Sequence, residues 1–354
     1  MIALVRSFKF FQIKKTQLLL GFLLFIFKCS TPLGQISIGG KTMGTTYNIK
    51  IVSGSPIEAE NIKVSIDSIL VILNQQMSTW DPESEISKFN RWSSVEPFEI
   101  SDYFFNVVEK ASILSQKTQG RFDITVFDLL SLWGFGPNPK SEIPNKKDID
   151  SIMTYTGFQN IYAEENLLFK KNKKTKIDLN AIAKGYGVDV IFNYIKSLGF
   201  DNIFVEIGGE VRFSGHNRNL NNWSVGLENP PSNSIGQEKP FFGILKEKYS
   251  AVATSANYRN FVDINGTLLG HTINPKTGFP VETDVLSVTV IAETCIEADA
   301  WATALMTLSY EDGAYLLKGY EDISAIWLLK MGEENRNIVI SGDVRILEPI
   351  FKIK

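Results

Sequence analysis

Strand follows strand in this chain more often than strand follows helix, and that order limits the fold more than any other feature. Gln35 to Ser53 alternates well enough for a hairpin or two edge strands, broken at Gly39-Gly40 and Met43-Gly44. Ile203 to Phe213 reads as a strand, a tight Gly208-Gly209 turn and a second strand. Residues 158–178 read as two strands around the polar turn Lys171-Asn172-Lys173-Lys174. Short strands run from Phe241 to Leu269, and an apolar strand spans Val285 to Ala292. Helical spacing appears over 57–76, 102–118, 182–198 and 296–309, the last read as amphipathic. A doubly wound parallel sheet needs a helical crossover between successive strands. The expectation is therefore α+β, with mostly antiparallel sheets and flanking helices.

The 354 residues carry a formal net charge of −3 and are 44% hydrophobic. That balance excludes a disordered chain and lacks the basic footprint of a nucleic-acid binder. With two cysteines, Cys29 and Cys295, neither a disulfide scaffold nor a Cys-rich zinc site can form. With two histidines, His216 and His271, a three-His metal site is excluded and any imidazole base is one of these two. His216 lies in a polar Gly215-His216-Asn217 turn and is expected at the surface.

Residues 1–29 read as a targeting leader. Arg6, Lys9, Lys14 and Lys15 precede the apolar run Leu18 to Phe27, and the first acid is Glu58. The run has signal-peptide length, short of the roughly 20 residues of a membrane span. Cys29 follows at once, as in a lipoprotein whose cysteine is acylated and becomes the mature N-terminus. Lys28 departs from the small residue usual before that cysteine. The expectation is export, with the protein held by lipid on Cys29.

Five segments suggest chemistry. Asp299 and Thr303 are four residues apart and project from one helical face, as a hard oxygen half-site for Mg²⁺ would require. Periodicity alone favours a solvated Asp and a Thr bonded back to its own helix. Ile177-Asp178-Leu179-Asn180 ends a strand and opens a helix, with Asn180 as N-cap. Lys184-Gly185-Tyr186-Gly187 follows in the first turns, where amides and a lysine suit an anionic group; close packing through glycine explains the same residues. Gly185-Tyr186-Gly187 lacks the third glycine of a dinucleotide fingerprint, since Val190 stands there. His271 precedes the turn Asn274-Pro275-Lys276-Thr277-Gly278. Phe122-Asp123 and Trp80-Asp81 each put an acid beside an aromatic that could stack on a ring or serve as core.

Eight segments occur in one order. They are Met43-Gly44-Thr45; Met77-Ser78-Thr79-Trp80; Gly120-Arg121-Phe122-Asp123-Ile124-Thr125-Val126 with Leu132-Trp133-Gly134-Phe135-Gly136; Asp178 to Tyr186; Ile207-Gly208-Gly209-Glu210; Ala253-Thr254-Ser255-Ala256; His271 to Gly278; and Glu297 to Ala304. Together they resemble the ApbE family of flavin transferases, the FAD:protein FMN transferases. The resemblance implies one catalytic domain over 36–350 that binds FAD as substrate and Mg²⁺. It implies transfer of FMN to a Thr or Ser hydroxyl of an acceptor protein, with release of AMP, on the periplasmic side of the membrane. It assigns metal ligation to Asp299, Thr303 and the backbone carbonyl of Ala181. Flavin and nucleotide contacts fall on Met43, Trp80, Arg121, Phe122, Asp123, Lys184 and Ile273. Trp80 stands where relatives often carry Tyr. His271 is the imidazole near a matching segment and the expected general base; Trp301 is expected in the core. A Mg²⁺-dependent FAD pyrophosphatase would need the same residues, and a flavin-binding lipoprotein would need no Asp299/Thr303 pair.

Overall fold

The structure, a computed structural model, describes residues 33–353 apart from 138–141, 231–239, 248–249, 258–260, 265–266 and 333–334. The leader and Cys29 lie outside the described residues. The chain begins with a hairpin, β1 (Gly34–Thr42) and β2 (Thr45–Ser53), followed by α1 (Ala59–Met77) and α2 (Glu85–Arg91). Next come β3 (Phe98–Glu99), α3 (Asp102–Lys117), α4 (Phe127–Leu132) and α5 (Lys146–Met153). The strands β4 (Ile161–Glu164) and β5 (Leu167–Lys170) precede α6 (Ala183–Ser197). Seven strands then follow: β6 (Asn202–Ile207), β7 (Glu210–Ser214), β8 (Trp223–Glu228), β9 (Phe241–Glu247), β10 (Ser250–Ala256), β11 (Phe261–Ile264) and β12 (Thr267–Gly270). The last elements are β13 (Val285–Ala292), α7 (Cys295–Met306), α8 (Tyr310–Leu317), β14 (Ser324–Met331), β15 (Asn335–Ser341) and β16 (Lys352–Ile353).

A nine-stranded sheet in the order β1-β2-β6-β7-β10-β13-β14-β15-β16 forms the frame, with strands from both ends of the chain. Its pairings are antiparallel except β15 with β16. This is the α+β architecture the strand order predicts. Both faces are covered. Ile203, Val205 and Ile207 face α1 and α6, packing on Ile62, Ile66, Val188 and Ile191. Phe213, Val252, Ile326 and Leu328 face the other way, against Trp223 and Leu227 of β8 and Phe242 and Leu245 of β9. A sheet buried on both sides explains the continuous apolar runs of β13 and β14.

Four local expectations change. The first hairpin does not break at Gly39-Gly40: the register runs unbroken from Gly34↔Ser53 to Thr42↔Thr45. Gly40 instead leaves room for the Tyr47 ring, which a Cβ there would meet at 2.6 Å. The turn between β4 and β5 is Glu165-Asn166, both with positive φ (49° and 61°), and the lysine stretch lies after β5. A two-residue turn needs left-handed residues, and Asn accepts that conformation readily. Asn180 does not cap α6, which starts after Ile182; its amide donates instead to Asp178 Oδ2 at 2.9 Å. Finally, α7 is not amphipathic. Cys295, Ile296, Ala298, Asp299, Ala300, Trp301, Ala302, Ala304, Leu305 and Met306 are all buried, as suits a helix lodged between the sheet and α6. Trp301 is core, edge-on to Tyr320 with ring centroids 4.8 Å apart.

Candidate active site

The first turn of α6, the β6–β7 turn and α7 converge beside the tip of the first hairpin. At that tip Met43 has φ 48° and Gly44 φ 71°, a twist that carries the Met43 side chain toward α6. A Cβ on Gly187 would lie 3.1 Å from Met43 Cε. Gly208 has φ 63° and donates its N–H to Thr46 O at 3.0 Å, tying the β6–β7 turn to the hairpin. A side chain there would press on Thr45 Cγ2 at 2.8 Å and Lys184 Cδ at 3.2 Å, so glycine lets Lys184 pass over the turn.

Lys184 Nζ donates to Glu210 Oε1 at 2.6 Å. Glu210 is 5% exposed, and its Oε2 is buried with no hydrogen-bond partner among the described residues. Asp299, 4% exposed, accepts from the Gly185 N–H at 3.0 Å through Oδ2. One turn on, Thr303 Oγ1 lies 3.3 Å from Ser255 Oγ. The solvated Asp that periodicity favours is thus replaced by a buried one, and Thr303 turns to a neighbouring strand rather than back to its own helix.

Burial pushes the Glu210 carboxyl up to about 7 against the pull of Lys184, and burial also raises Asp299. Burial opposes the Lys184 charge, but the carboxylates of Asp299 and Glu210 more than offset it and hold the amine protonated above the ordinary lysine range. Two carboxylates against one ammonium leave a net negative charge when all are ionised. A buried negative excess suits a cation. The available donors, a carboxylate, a hydroxyl and the Ala181 carbonyl, are all hard oxygens of the Mg²⁺ type. Among the described residues no three His, Cys, Asp or Glu side chains gather as a metal cluster. Donors of this kind could hold Mg²⁺ together with substrate phosphates and water.

A second group is tied together through Asp178. Asp178 donates its N–H to Ile124 O at 2.7 Å and accepts from Thr79 Oγ1 at 3.4 Å. It thereby joins the Arg121–Thr125 segment to the Trp80 loop. Burial pushes the Asp178 carboxyl up to about 6, against the hydrogen bonds from Asn180 and Thr79. Trp80 is 62% exposed, which leaves its ring as an open stacking surface. Arg121 is half-buried. Phe122 is buried, its ring in the core and its N–H donated to Thr118 Oγ1 at 3.2 Å. Asp123 accepts from Thr125 N–H at 2.8 Å and Phe158 N–H at 2.7 Å, which makes it the cap of a short 3₁₀ turn. Burial raises its carboxyl, with Lys276 among the groups opposing the shift.

A Cβ on Gly120 would meet Lys276 Nζ at 2.6 Å, so this glycine brings the Arg121 segment against the 274–278 turn. Ile273 is buried with Leu129, Leu132, Trp133 and Ile149. The Trp133 indole N–H donates to Gly278 O at 2.8 Å and fixes the turn. His271 is half-buried, edge-on to Phe135 with centroids 6.5 Å apart. His216 stays in its turn, with Nδ1 3.1 Å from Asn217 O.

The structure thus gathers Met43, Lys184, Asp299 and Thr303 in one group, and Arg121, Phe122, Asp123 and Ile273 in another, with His271 beside Phe135. Ala181 directly precedes the N-cap of α6, the helix that carries Lys184. Sequence reasoning assigned no role to Glu210, Ser255 or Lys276. A signal for Glu210 was present: a carboxylate opening the strand Glu210-Val211-Arg212-Phe213 needs a buried partner.

A model of the ApbE family matches residues 43–327. The FAD:protein FMN transferase of Vibrio cholerae is 39% identical over 293 residues, covering 82% of this chain and 86% of that protein. The protein of the same name from Escherichia coli K12 is 31% identical over 299 residues, covering 83% and 84%. The solved structure of the Vibrio cholerae flavin transferase ApbE aligns with TM-score 0.78 at 35% identity, over 88% of this chain and 98% of that one. The apo flavinyl transferase ApbE of Pseudomonas stutzeri aligns with TM-score 0.78 at 31% identity, over 87% and 95%. On the strength of that match along most of its length, the chain belongs to the ApbE family.

Proposed function

We propose that this chain is a flavin transferase that moves FMN from FAD to a Thr or Ser hydroxyl of an acceptor protein, in the presence of Mg²⁺. The observation that carries the reading is the family match over residues 43–327, which includes both groups of site residues. The hydroxyl oxygen attacks the phosphorus on the riboflavin side of the FAD pyrophosphate. A phosphoester bond forms, the bond to the AMP phosphate breaks, and AMP leaves. His271 takes the hydroxyl proton. Lys184 supplies a fixed positive charge for the pyrophosphate. Met43, Trp80, Arg121 and the main chain at Phe122 seat the flavin and nucleotide, while Asp123 and Ile273 hold the segments that form the seat. Asp299, Thr303 and the Ala181 carbonyl would hold Mg²⁺, whose chemistry when bound is to neutralise charge on the phosphoryl oxygens. We also read residues 1–29 as an export leader and Cys29 as a lipid attachment point.

The test is AMP release from FAD, followed with and without a candidate acceptor and with and without EDTA. AMP formed only with acceptor and free divalent cation supports transfer. AMP and free FMN formed equally without acceptor would identify a pyrophosphatase. Flavin retained with no AMP under any metal would identify a binding protein.

A further inference from the structure

The helices that carry the proposed metal and phosphate groups cap each other. The N-cap residue of α7, Thr294, makes no capping bond with its side chain and gives its hydroxyl to Glu297 Oε2 at 2.8 Å. The first two N–H groups of α7, on Cys295 and Ile296, donate instead to Oδ1 and Oδ2 of Asp189 at 3.0 and 2.8 Å. Asp189 lies on α6, two turns beyond its start. In return, α6 has Ile182 at its N-cap, a residue with no acceptor in its side chain, and its Gly185 N–H is taken by Asp299 of α7. Each helix start is thus satisfied by an aspartate of the other helix.

The contact between them is tight. A Cβ on Gly185 would lie 2.5 Å from Cys295 O and 2.8 Å from Asp299 Cβ. Asp189 is itself clamped: Arg212 Nη1 donates to its Oδ1 at 2.7 Å, and the guanidinium lies 4.5 Å over the Phe192 ring. Arg212 belongs to β7, two residues beyond Glu210, which holds Lys184. Asp299 and Thr303 both ride on α7, whereas Ala181 and Lys184 belong to the α6 side. The axial placement of α7 against α6 therefore decides whether these oxygens converge.

We propose that Asp189 is a positioning residue: by bonding the first two N–H groups of α7, it sets Asp299 and Thr303 in register with Ala181 and Lys184. This rests on the reading of Asp299 and Thr303 as metal ligands. A partner that orients ligands without touching the ion is worth about 10- to 100-fold in metal affinity.

The test uses the full chain and Mn²⁺ as probe, with free Mn²⁺ followed by electron paramagnetic resonance and folding by thermal unfolding. Asp189→Asn removes one acceptor oxygen and the charge, and is expected to weaken Mn²⁺ binding at least about tenfold. The second variant adds Thr294→Asp, which gives α7 a local cap. The double variant should regain unfolding temperature but not Mn²⁺ affinity, because a local cap does not tie α7 to α6. Recovery of both, or unchanged Mn²⁺ affinity in Asp189→Asn, would overturn the proposal and make Asp189 a helix cap alone. Asp299→Asn separates the two ideas. If it binds Mn²⁺ as tightly as the unaltered chain, the metal-site reading fails rather than the role of Asp189.

Discussion

Asp178 shows how a side chain buried for architecture also acquires a titration signature. Its carboxyl is raised from an ordinary 3.8 to about 6 because burial disfavours the charge. A carboxyl raised by folding contributes stability below its unfolded value and loses that contribution as pH rises through its folded value. The chain should therefore lose an Asp178-linked share of stability between about pH 4 and pH 6. Asp178→Asn should flatten that part of the curve, as read by denaturant midpoints across the range. Equal slopes in both proteins would show that Asp178 does not titrate there. At the same scale, His271→Asn should keep FAD binding and slow transfer by about 10²–10⁴, the range for loss of a general base. Its rate should recover as pH rises, because hydroxide can replace the imidazole. Unchanged transfer at neutral pH would leave His271 with its packing against Phe135 as its role. None of these side-chain environments was legible in the sequence, because the partners are remote: Thr79 reaches Asp178, and Gly185 meets Asp299.

Elements were read more securely than their environments. The spacing over 57–76 and 102–118 became α1 and α3 nearly to the residue, because each has a buried stripe and an exposed face. The hairpin at Gly208-Gly209 was legible for the same local reason, a glycine pair between alternating runs. The end of α7 was not, since a helix buried all round has no periodic stripe to mark its surface side. The β4–β5 turn is not legible either, because Glu-Asn is a weaker turn signal than the lysine run after it. The close approach of α6 and α7 gives a prediction at this scale. Gly185→Ala must push its methyl into the Cys295 carbonyl, so unfolding stability should fall by about 1–3 kcal/mol. A loss below about 0.5 kcal/mol, the scale of a neutral surface change, would mean that the two helices separate freely.

For the whole molecule, family membership was legible because the matching segments are spread from Met43 to Ala304. The reading of residues 1–29 as an export leader gives a prediction about location. Cys29→Ser should release the protein from the membrane fraction with its activity intact in solution. Persistence in the membrane fraction, or no incorporation of labelled fatty acid into the unaltered protein, would contradict lipid attachment. No helix among the described residues is long and apolar enough to cross a membrane. In the proposed transfer to protein, the Lys184–Glu210–Asp299–Thr303 group acts together with the residues proposed to seat the flavin. The most direct test is the intact mass of a candidate acceptor after incubation with FAD, Mg²⁺ and either the unaltered chain or Asp299→Asn. The expected result is a mass gain of one phosphoester-linked FMN per acceptor, matched by AMP, with the unaltered chain and none with Asp299→Asn. An equal mass gain with both proteins, or AMP production with no mass gain on the acceptor, would contradict it.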